Sequence, residues 1–395
     1  MTMDILIVTD GSLLGFADRL TSEGHDVEVF SKSLRLKSND LFEATDNLMQ
    51  ALQNSRFVLV DAPWDYLDKR AKYYNRPVIG ASEFIAIPNH DYVKQYTLFN
   101  RFDVPVPRTE VLGDLSEAIE QVLHWDARRT VIKYGNTEFK CDYRDWLAWG
   151  VTRVPIGTKI LFQEIEIGLQ ANITGWFDGM AWLDAFSISP DLDTKLYGYD
   201  MMAPLPNTSS LVKETFEKLT PYFKQTEYHG PVTIGLVLKK DSFVANQMHI
   251  GWKFPLCYSI LEFFQDELGM FLNGLAFPNS FKPVKTKDFV AAVQSKCVGE
   301  QMSGAPILGI NDERRKHFVF HNVEEKDNDF QYTGQGKVIL TATAHGRTVS
   351  EACERVYGVV EAVKFPEKHY NPMLAASANA TFEQLKNWSY INGQV

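Results

Sequence analysis

The sequence predicts an α/β protein that opens with a doubly wound domain, and three short stretches carry that prediction. "DILIVTD" is a compact apolar run, as a strand covered on both faces requires. "GSLLGFADRLTSEG" follows as a turn and a helix that stops at Gly24. "HDVEVFS" is then a second strand, so the chain begins β-turn-α-β. The alternation continues through "NLMQALQNS" as a helix, "RFVLVDAP" as a strand, "WDYLDKRAKYYN" as a helix and "RPVIGAS" as a strand. A first domain over residues 1–88 is expected.

The texture changes after Pro88. "DYVKQYTLFNRFDVPVPRTEVL" reads as a helix, a proline-punctuated turn and a strand. "DLSEAIEQVLHW" is a helix with Asp114 or Ser116 as its cap. "RTVIKYG" and "KILFQEIEIG" are strands carrying Lys133 and Glu164. "LQANITGWFDGMAWLDAFSIS" is a strand pair with Asp178-Gly179 at the turn. "TSSLVKETFEKLTPYFKQTE" is an amphipathic helix, and "PVTIGLVLKKDSFVANQMHI" a hairpin with Lys240-Asp241 at its tip. A second domain over 89–283 is expected. In the last third, "KDFVAAVQSK" and "KHFVFHNVEEK" are strands. "GKVILTATAHGRTVSEACERVYGVVEAV" is a strand, a Thr348 or Ser350 cap and a helix, and the rest is a tail of short elements. These form a small C-terminal α/β domain over 284–395.

Composition bounds the class. The chain is 395 residues long, 45% hydrophobic and 23% charged, which fits a globular protein of two to four domains. A formal net charge of −10 gives no indication of nucleic-acid binding, which needs a surplus of Lys and Arg. Cys141, Cys257, Cys297 and Cys353 form no C-x-x-C pair and read as plain thiols rather than a zinc site. The N-terminus reads as a first strand and no apolar run reaches membrane-span length, so no membrane association and a cytoplasmic location are expected.

The order of elements resembles the ATP-grasp superfamily, and more closely the glycinamide ribonucleotide synthetases, the phosphoribosylamine–glycine ligases of purine biosynthesis. The likeness covers nearly the whole chain through short pieces. They are "FVLVDAPWDYL" with "RPVIGAS", "VIK" at 131–133, "ILFQEIEIG", "YHGPVTIGLVL" and, nearest of all, "VILTATAHGRTVSEACERVYGVVEAVKF". The resemblance implies an ATP-grasp α+β domain in the middle of the chain. It also implies an acyl-phosphate ligase: ATP phosphorylates a carboxylate, and an amine displaces the phosphate. That chemistry needs donors around the phosphates, Mg²⁺, and carboxylates to hold the metal.

On the resemblance, Lys133 would contact the nucleotide phosphates. Glu164, with the backbone of Ile165 and Glu166, would hold adenine, and Gln170 stands near the ribose position. Asp10, Gly11 and Ser12 would meet substrate at the first strand end. "GYDMMAPLP" keeps the outline of the loop that encloses a small amino acid, with Met202 retained and Asp193 and Lys195 just ahead of it. Departures are equally specific. "YGNTEFKCDYRDW" has one glycine where the family has a glycine-rich phosphate cover, and reads as an ordinary turn with Lys140 as its nearest charge. The position of the expected lysine on the helix after Pro88 is taken by Tyr96, with Lys94 off its face.

The departure is largest at "SFVANQMHIGWKFP", which contains no carboxylate. Aligning on Gly251 puts Ala245 at the metal-binding Glu, Gln247 at the Asn and His249 at the Arg, and Trp252 and Phe254 near the acids of the following turn. Gln247 is then the remaining metal ligand candidate, although Mg²⁺ prefers charged oxygens. His249 reads first as a hydrogen-bonded structural residue. Trp146, Trp149, Trp252 and Phe254 read first as core and second as a binding surface. Two readings stay open. One is an ATP- and Mg²⁺-dependent ligase joining a small-molecule carboxylate and amine. The other is a non-catalytic relative with a binding, regulatory or structural role. A third, ligation of an amino acid to a modified nucleotide or nucleic acid, draws no support from the net charge.

Overall fold

The computed structural model describes residues 2–391, apart from 33–37, 39–41, 62–63, 65, 82–83, 114, 122–123, 127–128, 141–152, 156, 193–197, 255, 266, 279–283, 299–302, 327–328 and 335. The chain is α/β throughout. Strands β1 (Asp4–Val8), β2 (Asp26–Phe30), β3 (Glu43–Ala44), β4 (Phe57–Val60) and β5 (Val78–Ile79) form a parallel sheet in the order β3-β2-β1-β4-β5. Helices α1 (Leu14–Ser22), α2 (Leu48–Asn54) and α3 (Leu67–Tyr73) link its strands. Leu6, Val8, Val58 and Val60 pack on one face of that sheet, and Ile5, Ile7, Phe57 and Leu59 on the other. The unbroken apolar runs of the sequence follow from burial on both faces. Gly80, after β5, has φ +126°, and a Cβ there would fall 2.1 Å from the Val60 carbonyl oxygen, so only glycine fits.

Helix α4 (Tyr92–Arg101) is capped by the Asp91 side chain, which accepts from the Val93 and Lys94 amides. A four-stranded sheet follows: β6 (Thr109–Leu112), β7 (Thr130–Tyr134), β8 (Thr137–Lys140) and β9 (Ile160–Glu164), in the order β6-β9-β7-β8. It has its own small core of Leu112, Trp125, Ile132, Ile160 and Phe162.

The large sheet has nine strands. Its path is β14 (Phe243–Ile250), β13 (His229–Leu238), β10 (Leu169–Asp178), β11 (Phe186–Pro190), β12 (Tyr199–Leu205), β15 (Phe289–Cys297), β20 (Val338–Gly346) and β17 (Phe318–Phe320), with β21 (Lys368–His369) beside β15. Strands β16 (Pro306–Ile307), β18 (Val323–Lys326) and β19 (Asp329–Tyr332) form a separate small sheet. "KHFVFHNVEEK" is therefore two strands in two sheets, broken at His321-Asn322.

Two helices, Leu256–Phe263 and Leu268–Ala276, lie on the large sheet. Trp176 of β10 is fully buried between Trp252, Phe264 and Phe271, with ring centroids 5.9, 5.6 and 5.1 Å away. The core-packing expectation for Trp252 thus holds. The helix Val349–Ala362 begins at Thr348, whose side chain accepts from the Glu351 amide. The tail differs from expectation: Leu374–Asn387 is one 14-residue helix. Its Asn, Ser and Thr content hides the helical spacing of Leu374, Ala378, Phe382 and Leu385, which are all buried.

Candidate functional site

Strand register decides which side chains share a face. Asn172 pairs with Gly235, which pairs with Gln247, and one step along Thr174 pairs with Thr233, which pairs with His249. These residues form a polar row across β10, β13 and β14. Ile173, Ile234 and Met248 point the other way, into the main core. The pairing is interrupted by a bulge. Gly235 faces Gln247 but Leu236 faces Ala245, so Asn246 is the extra residue. The bulge turns Ala245 into the core with Met248, where it is 1% exposed. The position aligned with the metal-binding Glu thus looks into apolar packing. Gln247 lies on the polar face and is exposed. A Cβ on Gly235 would fall 2.5 Å from the Gln247 Cγ and 2.8 Å from the Asn246 Oδ1, so the absent side chain makes room for both amides.

The polar row continues into a buried network. The Lys253 Nζ donates to the Asn172 Oδ1 at 2.6 Å. Burial pushes this amine down to about 8, against the pull of Asp191 and Asp200. Asp200 on β12 is buried and accepts from the Ser189 hydroxyl and, at 2.7 Å, from the Ser259 hydroxyl. Burial raises its carboxyl, and the two seryl donors oppose that only in part. His249 is the structural residue expected: its Nε2 lies 3.0 Å from the Trp252 carbonyl oxygen, and burial lowers it to about 4. Sequence reasoning missed Lys253 and Asp200. Lys253 sits in the very stretch notable for lacking acids, and a cation there was the readable sign.

Lys133, on β7, is 5% exposed and already engaged. Its Nζ donates to the Asn246 carbonyl at 3.3 Å, lies 4.0 Å from the Glu138 carboxylate and sits 4.9 Å from the Tyr92 ring centroid. Desolvation pushes the amine down to about 8, with Glu138 pulling it back. Lys133 therefore ties the four-stranded sheet to the bulge of the large one. The segment after it is a tight hairpin: Tyr134 pairs with Thr137 across Gly135 and Asn136. The Gly135 carbonyl accepts from the Tyr92 amide at 2.8 Å, which fastens the turn to α4. Lys140 is exposed, 3.9 Å from Glu138. Residues 141–150, with Trp146 and Trp149, lie outside the described residues.

The hinge residues are placed beside this tie. Glu164, at the end of β9, pairs with Arg129 at 2.8 Å, and Glu166 with Lys239 at 2.6 Å. The Ile165 amide donates to the Arg129 carbonyl at 2.6 Å. Gln170 is exposed at the start of β10. At the first strand end, the amides of Asp10 and Leu13 donate to the Asp61 carboxylate, each at 3.2 Å, and the Thr9 hydroxyl donates to it as well. The turn of Asp10, Gly11 and Ser12 is thus already filled by an internal carboxylate, and the Ser12 carbonyl accepts from the Tyr258 hydroxyl at 3.0 Å. Burial, opposed by the Thr9 hydrogen bond, raises Asp61 to about 6. Met202 is buried in the core opposite Val290. Asp193 and Lys195 lie outside the described residues.

These donors do not fit Mg²⁺. The strand expected to hold it offers Gln247 as a single neutral carbonyl, the hinge acids Glu164 and Glu166 are ion-paired to Arg129 and Lys239, and the polar row carries the Lys253 amine instead. Among the described residues no group of three or more His, Cys, Asp or Glu side chains is arranged to hold a metal. Nor is any described helix long and apolar enough to cross a membrane.

No family model matches the chain, and no curated protein matches it. Solved structures do. Phosphoribosylamine–glycine ligase from Thermotoga maritima aligns with a TM-score of 0.70 at 16% identity, over 94% of this chain and 99% of its own. N5-carboxyaminoimidazole ribonucleotide synthetase from the same organism aligns at 0.58 and 16% identity, over 92% and 99%. The biotin carboxylase domain of the Hydrogenobacter thermophilus 2-oxoglutarate carboxylase, solved with MgADP and bicarbonate, aligns at 0.64 and 11% identity, over 99% and 100%. The fold is that of the ATP-grasp enzymes, ATP-dependent carboxylate–amine ligases among them. Within that class the chain resembles glycinamide ribonucleotide synthetase, the activity of the first of these neighbours.

Proposed function

We propose that this protein is a non-catalytic relative of the ATP-grasp ligases that binds an anionic small molecule, an adenine nucleotide by analogy with its fold, without Mg²⁺. The observation that carries the proposal is the polar row of β10, β13 and β14. Where Mg²⁺-dependent acyl-phosphate chemistry needs carboxylates, this row presents Gln247, Gly235 and Asn172, with Lys253 bonded to Asn172. An amine and amide N–H groups match an anion directly, whereas carboxylates match it only through a metal. Ala245 supports the same reading, because a carboxylate there would face apolar core.

The test separates binding from turnover. The melting temperature is measured with millimolar ATP, once in EDTA and once with Mg²⁺, alongside an assay for ADP. The expected result is the same rise in both conditions, following RT ln(1 + [L]/Kd), with no ADP formed. A rise only with Mg²⁺, or ADP release with glycine and phosphoribosylamine, would overturn the proposal in favour of a working ligase. No rise in either condition would remove the nucleotide from it. Lys253→Met should abolish the rise; an unchanged rise would move the site away from the polar row.

A further inference from the structure

A second cluster lies on the same face of the large sheet as Asp200, at the C-terminal end of the helix Leu256–Phe263. Asp200 pairs through Ala292 with Thr343. The cluster is centred on His345, two residues further along β20 and two strands, about 10 Å, across from β12. The Glu262 carboxylate, from the last turn of the helix, bridges two imidazoles: His317 Nδ1 lies 3.3 Å from its Oε2, and His345 Nδ1 contacts its Oε1. These hydrogen bonds hold the Glu262 carboxyl down to about 2 against its burial. Each Nδ1–H is committed to Glu262, which leaves each Nε2 for another partner.

Three adjoining cavities open around these rings, all lined by His345, and two of them have volumes of about 520 and 420 Å³. Cations line them from separate elements: Arg19 of α1, Lys287 before β15, Arg314 and Lys316 before β17, and Arg347 and Arg355 at the helix Val349–Ala362. The acids on the same walls are Glu262, Glu267, Asp288 and Glu351. Glu351 is taken by Arg355, at 2.5 Å, and by the Arg347 amide. Among the described residues neither Lys287 nor Lys316 forms an ion pair, and the Lys287 Nζ approaches only the His345 Nε2, at 3.4 Å. The Glu262 bridge explains both Nδ1 atoms as a structural tie. It leaves unexplained the Lys287 amine against the His345 Nε2 and the other cations on these walls.

We infer that this basin is a second ligand site, separate from the polar row, for a phosphate-bearing small molecule. Cations reach the cavities from four separate parts of the chain, which suits a tetrahedral dianion better than a planar carboxylate.

Calorimetric titration of the full chain with inorganic pyrophosphate tests this. Affinity should fall at least about tenfold in Lys287→Ala/Lys316→Ala. It should be unchanged in Lys253→Met, which touches only the polar row, so the two sites fail or stand independently. Lys287 is half-buried and Lys316 exposed, and Lys316→Glu gives a second variant that should weaken binding with the fold intact. Pyrophosphate binding that survives in both basin variants would overturn the inference, as would absence of binding at millimolar concentration, or citrate binding equally tightly.

Discussion

Two carboxylates at opposite ends of the helix Leu256–Phe263 meet burial in opposite ways. Asp61 lies by its start, close enough to act on Cys257 and Tyr258, and is raised to about 6. Glu262 is in its last turn and is lowered to about 2. Both are desolvated, and both accept several hydrogen bonds. Asp61 accepts from a hydroxyl and two backbone amides, with the second carboxylate of Asp10 nearby. Glu262 accepts from two imidazoles that can themselves carry charge. Neutral donors alone do not offset the burial of a charge here, and partners that can be charged do.

The strongest way to press that comparison is a site where the partner is always charged. Arg315 bonds Asp18 at 2.7 Å and Glu325 at 2.8 Å, and both acids are buried. Burial still holds Asp18 above its usual value, while the two acids raise Arg315, so one guanidinium is shared between two desolvated charges. Arg315→Ala should cost about 3–5 kcal/mol of unfolding free energy in urea near neutral pH, because two buried acids lose their cation. A loss below about 1 kcal/mol would mean that those acids are neutral in the fold.

Glu262→Gln comes next. The folded value lies below the unfolded one of 4.5, so the stabilisation is complete above about 4.5 and is lost as pH falls to about 2. The variant should be less stable than the parent by on the order of 3 kcal/mol near pH 6, with the gap closing towards pH 2. A gap that stays constant across this range would show that the imidazoles do not favour the charged form. Asp61→Asn has the opposite sign. Its folded value lies above the unfolded 3.8, so the parent's contribution is favourable at low pH and is lost as pH rises to about 6. The variant should flatten that limb by on the order of 1–2 kcal/mol, discounted because Asp61 keeps some solvent. A limb unchanged in the variant would shift the cause to another acid.

The reach of the sequence follows the same physics. The β-turn-α-β opening, the hairpin with Lys240-Asp241 at its tip and the helix after Thr348 were legible because local patterns specify them. The division at 88 and 283 remains a proposal drawn from those patterns. The missing carboxylate at Ala245 was legible as a substitution, but its direction was not. That depends on the bulge at Asn246, which is set by pairing with β13. Lys253 was legible as a cation but not as the partner of Asn172, and Asp200 and the Glu262 bridge were not legible, because each contact joins elements far apart in sequence. Asp61 had a readable sign, its position at the end of a central parallel strand.

The smallest effect belongs to an ion pair that shares the chemistry of the others without their burial. Lys72 and Glu227 meet at 2.9 Å with side chains 77% and 75% exposed. The contact holds Glu227 below its usual value, chiefly through the Lys72 hydrogen bond. Water screens the charges, and two long side chains lose freedom to meet. Lys72→Ala should therefore change the urea midpoint by no more than about 0.5 kcal/mol equivalent, and less at high salt. If it costs as much as Glu262→Gln, then pairing rather than burial sets the scale, and the contrast between Asp61 and Glu262 needs another cause.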